Sequence, residues 1–534
     1  MLNFLLCFIA LVIVLCVILN NASQKIGMPM LLAFIVLGIV LGNFGPHPVK
    51  FEDYSFAESF STVALIFIMF YGGFGTRWKT ARSAALPAGI LASAGVVVTA
   101  MLTGLFCHFV FKWDWIESML MGAVISSTDA ASVFSILRSN KLGLKNNLSP
   151  LLEIESGSND PFSYMLTVIM ISLLNGSGSG AGSVAWMFFA QIAFGAGLGF
   201  LIGKAGIYAM KHIRFSTSGF DSLFIFATAL FAYGLPSLIG GNGYLSTYLV
   251  GLMLGNSELK GKKSLVNFFD GLTGLMQVLI FFMLGLLARP EQMGKVIAAS
   301  ALIFLFLLLV ARPLAVCPVL TAFRRYPFRQ QLFVSFVGLR GASSIVFAIF
   351  ATISDGTIQN DILNIVFCIV LLSISLQGYL LPFVARKLDI IDKDNDVMTT
   401  FTDFSEETDL SFSQIAILEG DSWDARKVSA LSLPRHILIC KLVHPDGSDE
   451  VPDGNTVLHS GDTAIICTQA CTGEHTINIS ERDIEEGSRL CGQTIREYSP
   501  DEGQILLIRR NGTNIIPGGD TVLQAGDHIY YNKK

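Results

Sequence analysis

Residues 153–162 read EIESGSNDPF, which sets Glu153, Glu155, Asn159 and Asp160 between two apolar runs. A charged side chain at the centre of a bilayer costs about 2.5–3.5 kcal/mol on insertion scales. The stretch therefore lies outside the membrane or serves chemistry inside it, and the surrounding sequence decides which. The chain has 534 residues, 52% hydrophobic and 14% charged. Ordinary soluble domains carry about 25% charged residues. Residues 1–390 hold 24 Lys and Arg against 16 Asp and Glu, whereas residues 391–534 hold 12 against 25. An apolar, slightly basic membrane body is followed by an acidic, polar tail.

Apolar stretches of spanning length fall at 2–20, 28–43, 57–74, 85–111, 115–138, 150–174, 184–210, 220–236, 244–255, 265–288, 295–322, 328–352 and 361–386. The predicted architecture is a polytopic all-α membrane protein with about 13 transmembrane helices. The first stretch lacks the basic flank of a signal peptide and is too long for one, so it reads as a span. Cytosolic loops are enriched in Lys and Arg. With a cytosolic tail and an odd number of spans, the N-terminus lies outside. The loops then assigned inside hold 18 basic residues and those outside only four: Lys50, Lys112, Arg289 and Lys295. The expected location is the cell membrane. EIESGSNDPF falls in the sixth span.

The fifth span contains AVISSTDAASVF, with Asp129 among Ser126, Ser127, Thr128 and Ser132. In the sixth, Ser156 and Asp160 share a helix face at i,i+4, and Glu155 and Asn159 form the neighbouring stripe. Pro161 removes a backbone donor close to Gly157, which frees carbonyl oxygen. Carboxylate, hydroxyl and carbonyl oxygens suit an alkali cation or a proton better than a transition metal. The bland reading is interhelical hydrogen bonding, worth about 0.6 kcal/mol per contact. It accounts for the hydroxyls, but not for two acids in adjacent spans. Glu155 calls for a buried cation, and Arg312 in LLVARPLAV is the candidate partner. In the twelfth span, FVGLRGASSIVF sets Arg340 between Gly338 and Gly341. That spacing suits either a broken helix, with Arg340 capping freed carbonyls or repelling cations, or close packing through small residues. Irregular spans five and twelve predict two six-helix units of inverted orientation with the seventh span between them. Such repeats belong to secondary transporters working by alternating access.

SSTDAASVF, ESGSNDP, ARP and GLRGA together resemble the monovalent cation:proton antiporter family, over about residues 1–390. STDAA with LEIESGSNDP is similar to its bacterial K+/H+ branch. The resemblance implies that Asp160 is the carboxylate shared by proton and cation, and that Thr128, Asp129 and Ser156 help coordinate the ion. It implies that Asn159 stands where electrogenic relatives have a second Asp, that Glu155 pairs with Arg312, and that Arg340 lies in the unwound part of span twelve. Relatives often carry an acid in the third span, where this chain has Tyr71 in IMFYGGFG. A single exchanging carboxylate predicts electroneutral exchange of K+, or of Na+, for H+. It also implies a homodimer. No cofactor is expected, since no GxxxxGK[ST] motif is present. No metal-ligand or nucleophile pattern falls in the spans to suggest an enzyme, and nothing calls for nucleic acid. The alternative is a ligand-gated potassium channel, which the missing TVGYG filter disfavours.

The tail reads as an acidic linker, 391–412, and two β-rich (α+β) units, 413–472 and 473–534. VPDGNTVLHSGD (451–462) and IPGGDTVLQAGD (516–527) align at an offset of 65 residues. They resemble the TrkA-C (RCK-C) domain of potassium-conductance regulators. The resemblance implies regulation, with a small ligand such as a cyclic dinucleotide, or dimerisation. Cys440, Cys467, Cys471 and Cys491 form no CxxC pair and read as reduced.

Overall fold

The computed structural model describes residues 2–26, 30–44, 51–140, 142–145, 148–176, 180–213, 219–259, 261–354, 358–392, 410–431, 433–434, 437–446, 448–469, 479–485, 488, 490–497, 504–510, 513–515 and 517–532. Lys50, Lys141, Arg214, Lys260, Cys471 and linker residues 393–409 lie outside them. The chain divides into two compact units, Met1–Ser405 and Glu406–Lys534.

The first unit is mainly helical over its apolar stretches. α1 (Leu2–Ile26), α2 (Met30–Asn43) and α3 (Tyr54–Gly75) come first. α4 (Trp78–Ile90) continues through a π-bulge at Leu91–Gly95 into α5 (Val96–Phe111). The fifth apolar stretch is broken into α6 (Trp115–Ile125) and α7 (Ala130–Ser139), and strand β1 (Gly143–Leu144) leads on to α8 (Leu148–Leu174). α9 (Ala181–His212), α10 (Phe220–Leu238), α11 (Gly243–Gly255) and α12 (Lys262–Leu287) follow. α13 (Pro290–Phe306) reaches α14 (Arg312–Ala322) through a second π-bulge, Leu307–Ala311. The twelfth stretch is broken into α15 (Phe328–Phe336) and α16 (Ala342–Ile353). α17 (Ile362–Leu372) runs through a third π-bulge, Ser373–Gln377, into α18 (Gly378–Lys387), and β2 is Ile391–Asp392. Among the described residues, seven helices are long and apolar enough to cross a membrane by themselves, and five shorter apolar helices accompany them.

Local chemistry explains several boundaries. Asp53, Asp114, Asn242 and Asp361 cap α3, α6, α11 and α17, each accepting a backbone N–H from the first turn. Packing between helices relies on absent side chains. A Cβ on Gly251 would lie 2.2 Å from the Phe70 carbonyl, and one on Gly255 2.0 Å from the Phe74 carbonyl, so α11 rests backbone to backbone on α3. One buried cluster includes Phe34, Ile66, Met121, Phe282 and Phe347, and a second joins Leu137, Leu151, Phe333, Leu381 and Ile390. Large apolar side chains such as Leu86, Leu201, Leu309 and Phe383 are exposed, as a lipid-facing surface requires.

The expected linker is shorter than 391–412, because pairing claims both its ends. β2 pairs antiparallel with β1, the Lys145 amide donates to the Ile390 carbonyl at 2.9 Å, and Lys145 Nζ meets Asp389 at 2.9 Å. At the other end, β3 starts at Leu410, not 413. Two residues of strand carry too little alternation to be read in advance.

In the second unit, β3 (Leu410–Ala416), β5 (Leu438–Val443), β6 (Asp449–Glu450) and β8 (Thr463–Gln469) form an antiparallel sheet in the order β3-β8-β5-β6. β4 (Arg426–Lys427) pairs with β7 (Val457–Leu458). β9 (Ile479–Asp483), β10 (Gln504–Arg510), β11 (Thr513–Ile515) and β12 (His528–Asn532) repeat that arrangement in the order β9-β12-β10-β11. A Thr494–Val522 bridge stands where the β4–β7 pair does. The sequence repeat is thus a structural duplication. Among the described tail residues the only helical turn is the 3₁₀ turn Val428–Ala430, so the α part of the α+β expectation is not seen there.

Candidate functional site

Two breaks face each other. Residues 126–129 are unwound between α6 and α7, and residues 337–341 between α15 and α16. They cross with the Asp129 amide donating to the Leu339 carbonyl at 2.8 Å. Arg340 Nη1 donates to the Ser127 carbonyl at 2.5 Å. Ser127 Oγ lies 3.1 Å from both Ser343 Oγ and Ser344 Oγ. Gly341 is required for the crossing, because a Cβ there would sit 2.5 Å from the Asp129 side chain. The breaks leave helix ends whose backbone groups need partners. The opposite break supplies several of them.

α8 lies against this crossing. Ser156 Oγ donates to the Thr128 carbonyl at 2.7 Å, and Asn159 Nδ2 to Thr128 Oγ1 at 2.5 Å. Asp160 has the Ser343 and Ser127 hydroxyls as side-chain partners and the Asp129 charge nearby. Asp160 is 7% exposed. Among the described residues its Oδ1, like Oδ1 of Asn159, is buried without a hydrogen-bond partner. Asp129 has local work as well, since its carboxylate accepts from the Ser132 hydroxyl at 2.5 Å at the start of α7. Asp160, Asp129, Thr128, Ser156 and Asn159 therefore come together as an oxygen-rich cluster.

Glu155, one turn before Asn159 on α8, meets Arg312. Arg312 Nη1 lies 2.9 Å from Glu155 Oε1, with the side chains 4% and 2% exposed. Gly338 leaves room for the guanidinium, since a Cβ there would stand 2.5 Å from Arg312 Nε. Arg312 opens α14 directly after a π-bulge, a distortion that often marks functional positions.

The sequence reading overlooked two residues and one partner. Ser373 and Gln377 sit in the π-bulge between α17 and α18. Ser373 Oγ accepts the Arg340 amide at 3.0 Å, and Gln377 Nε2 donates to the Phe336 carbonyl at 2.9 Å. They hold both lips of the second break, and their signal was polarity within the apolar run LLSISLQGYLL. Tyr71, in place of the third-span acid, donates to Asp270 Oδ1 at 3.1 Å. An acid from α12 stands beside the tyrosine of α3.

Residues 10–387 match the family model for the transmembrane sodium/hydrogen exchanger, and residues 479–530 that of the TrkA-C domain. The chain is 32% identical over 496 residues to the K(+)/H(+) antiporter NhaP2 of Shewanella oneidensis, covering 90% of this chain and 84% of that one. It is 36% identical over 368 residues to the K(+)/H(+) antiporter NhaP of Alkalimonas amylolytica, covering 69% and 64%. With the Na(+)/H(+) antiporter NhaH of Halobacillus aidingensis it shares 27% over 316 residues, 56% of this chain and 75% of that one. The fold is similar to that of the sodium proton antiporter MjNhaP1 of Methanocaldococcus jannaschii. The TM-score is 0.61 at 22% identity, over 71% of this chain and 99% of that one.

Proposed function

The chain belongs to the sodium/hydrogen exchanger family, and we propose that it exchanges K+, or Na+ less favourably, for H+ at the Asp160 cluster. The observation that carries this reading is the buried Asp160 oxygen without a partner, set among the oxygens of Thr128, Ser156, Asn159 and Asp129. A carboxylate excluded from water is costly when charged and uncompensated. A proton or an alkali cation removes that cost, and each excludes the other. The loaded states then cross readily and the empty charged state does not. K+ is preferred because the more extensive relatives are K(+)/H(+) antiporters by name.

In this reading Thr128 and Ser156 orient the cluster, and Asn159 contributes a neutral oxygen, so one cation exchanges for one proton without net charge. Glu155 and Arg312 neutralise each other and keep α8 in register with the crossing. Arg340 holds the Ser127 carbonyl, so the breaks stay open with no mobile charge. Alternating access, an outward N-terminus, a cytosolic tail, cell-membrane location and a homodimeric assembly belong to the same proposal. The TrkA-C match supports a regulatory role for the tail. It does not carry the cyclic dinucleotide weighed from the sequence.

The test is proton movement in proteoliposomes under an imposed pH gradient, with K+, Na+ or choline added outside and valinomycin included or omitted. Cation-dependent collapse of the gradient, abolished by Asp160→Asn and indifferent to membrane potential, is expected. Current without proton coupling that survives Asp160→Asn would replace the antiporter with a channel.

A further inference from the structure

The duplicated tail contains its own control experiment. In each unit a glycine of positive φ, Gly461 (93°) or Gly526 (84°), precedes a buried aspartate, Asp462 or Asp527. The backbone repeats around it: Gly461 donates to the Ile417 carbonyl and Gly526 to that of Ile484, both at 2.8 Å. One carboxylate oxygen accepts the amide three residues upstream, from His459 at 2.9 Å or Gln524 at 2.8 Å. The surroundings match until the counter-charge.

Asp527 is held by Arg510, with Nε to Oδ1 and Nη2 to Oδ2 both at 2.7 Å. A guanidinium does not lose its proton in proteins, so this counter-charge persists as pH rises. At the corresponding place, just past β5, the first tail repeat has His444, whose Nδ1 lies 2.8 Å from Asp462 Oδ1. The other groups facing this imidazole are acids. Glu450 on β6 lies 3.9 Å from Nε2, and Asp446 lies in the following turn. Lys441 of β5 is engaged by Asp449. The side chain of Asp462 is 3% exposed. A carboxylate this buried needs a compensating charge, and removing one partner of such a pair is strongly destabilising.

We propose that His444 and Asp462 form a proton-binding regulatory site in the first tail unit. With the proton bound, His444 gives Asp462 the counter-charge that Arg510 gives Asp527. Without it, the buried carboxylate is uncompensated and the strands around it loosen. The ligand is the proton itself, a substrate of the exchange reaction. The Asp462 hydrogen bond raises His444 above the usual imidazole value against desolvation, and the Asp462, Glu450 and Asp446 charges add to the rise. A raised histidine stabilises fully below the unfolded value of 6.5 and loses that effect as pH climbs through the folded value. The unit therefore tightens in acid and loosens in alkali. Only the last step, an effect on exchange rate, rests on the antiport reading.

The experiment is hydrogen exchange followed by mass spectrometry on the full-length chain in lipid nanodiscs, from about pH 6 to about pH 9, corrected for intrinsic exchange at each pH. A His528→Gln background silences the separate histidine of the second tail repeat. Protection of β5 and β8 is expected to fall several-fold with rising pH, and His444→Arg to remove the fall. Arg510→His is expected to confer a similar fall on β10 and β12, which keeps the idea testable should His444→Arg misfold. A fall that survives His444→Arg, or a second tail repeat unmoved by Arg510→His, overturns the site. In proteoliposomes the pH profile of cation-dependent exchange is expected to shift in His444→Arg, and an unchanged profile overturns its regulatory role. Exchange that survives Asp160→Asn would fault the antiport reading alone, since the protection measurements do not depend on it.

Discussion

Breaking the Glu155–Arg312 pair is expected to cost far more than removing it. At the observed 2.9 Å, two unit charges attract by about 6 kcal/mol for an effective dielectric of about 20, before desolvation is subtracted. Desolvation has already been incurred on both sides, because neither side chain is more than 4% exposed. Arg312→Met or Glu155→Leu alone strands the other charge, at an expected cost of about 3–5 kcal/mol. The double variant Glu155→Leu/Arg312→Met strands none. Met also keeps the unbranched stem beside Gly338, so its stability is expected to return to within about 1 kcal/mol of the original. Equilibrium unfolding of purified protein in mixed detergent–SDS micelles, followed by far-ultraviolet circular dichroism, reads all four corners of the cycle. Single variants that lose less than about 1 kcal/mol, or a double variant as unstable as the sum of the singles, would refute the reasoning.

Gly255→Ala drives a methyl group into the Phe74 carbonyl, with an expected loss of about 1–3 kcal/mol in the same unfolding assay. Gly72, on the same helix as Phe74, has no atom within 4 Å of an added Cβ and should accept alanine without loss. Ser373→Ala/Gln377→Leu removes the partners of the Arg340 amide and the Phe336 carbonyl, so cation-dependent exchange should fall while expression and monodispersity persist. Unimpaired exchange would show that the break holds itself. The second tail unit should respond to pH at both ends of the scale. The Asp483 hydrogen bond, then that of Glu481, raises His528 above 6.5, so its stabilisation is complete below 6.5 and lost as pH rises through the folded value. Arg510 depresses Asp527 below 3.8, so that contribution is present above 3.8 and lost as pH falls through the depressed value. Protection of β12 measured by hydrogen exchange should be highest between those limits, and His528→Gln should remove only the alkaline decline.

Much of this molecule was legible as sequence, for a physical reason. A bilayer demands long runs of apolar residues, so the helical stretches announced themselves one after another, and loop charges proposed their orientation. The tail duplication showed as well, because a Gly-Asp turn needs its glycine at the positive-φ position in both copies, Gly461 and Gly526. Acids within apolar runs stood out at Asp129, Glu155 and Asp160, since charge is expensive there. Tertiary structure alone decided how these residues meet. Asp129 and Leu339 are joined across 210 positions by the crossing of two broken helices, and no local pattern encodes a crossing. Ser373 and Gln377 look like incidental polarity until the break they hold is in view. Linker residues 391–392 read as part of an acidic spacer and became a strand only because β1 offered an unpaired edge. Nor could composition tell that His444 and Arg510 occupy equivalent places beside equivalent aspartates. Periodicity reports which face of an element is apolar. Which polar groups meet depends on how the elements pack against one another.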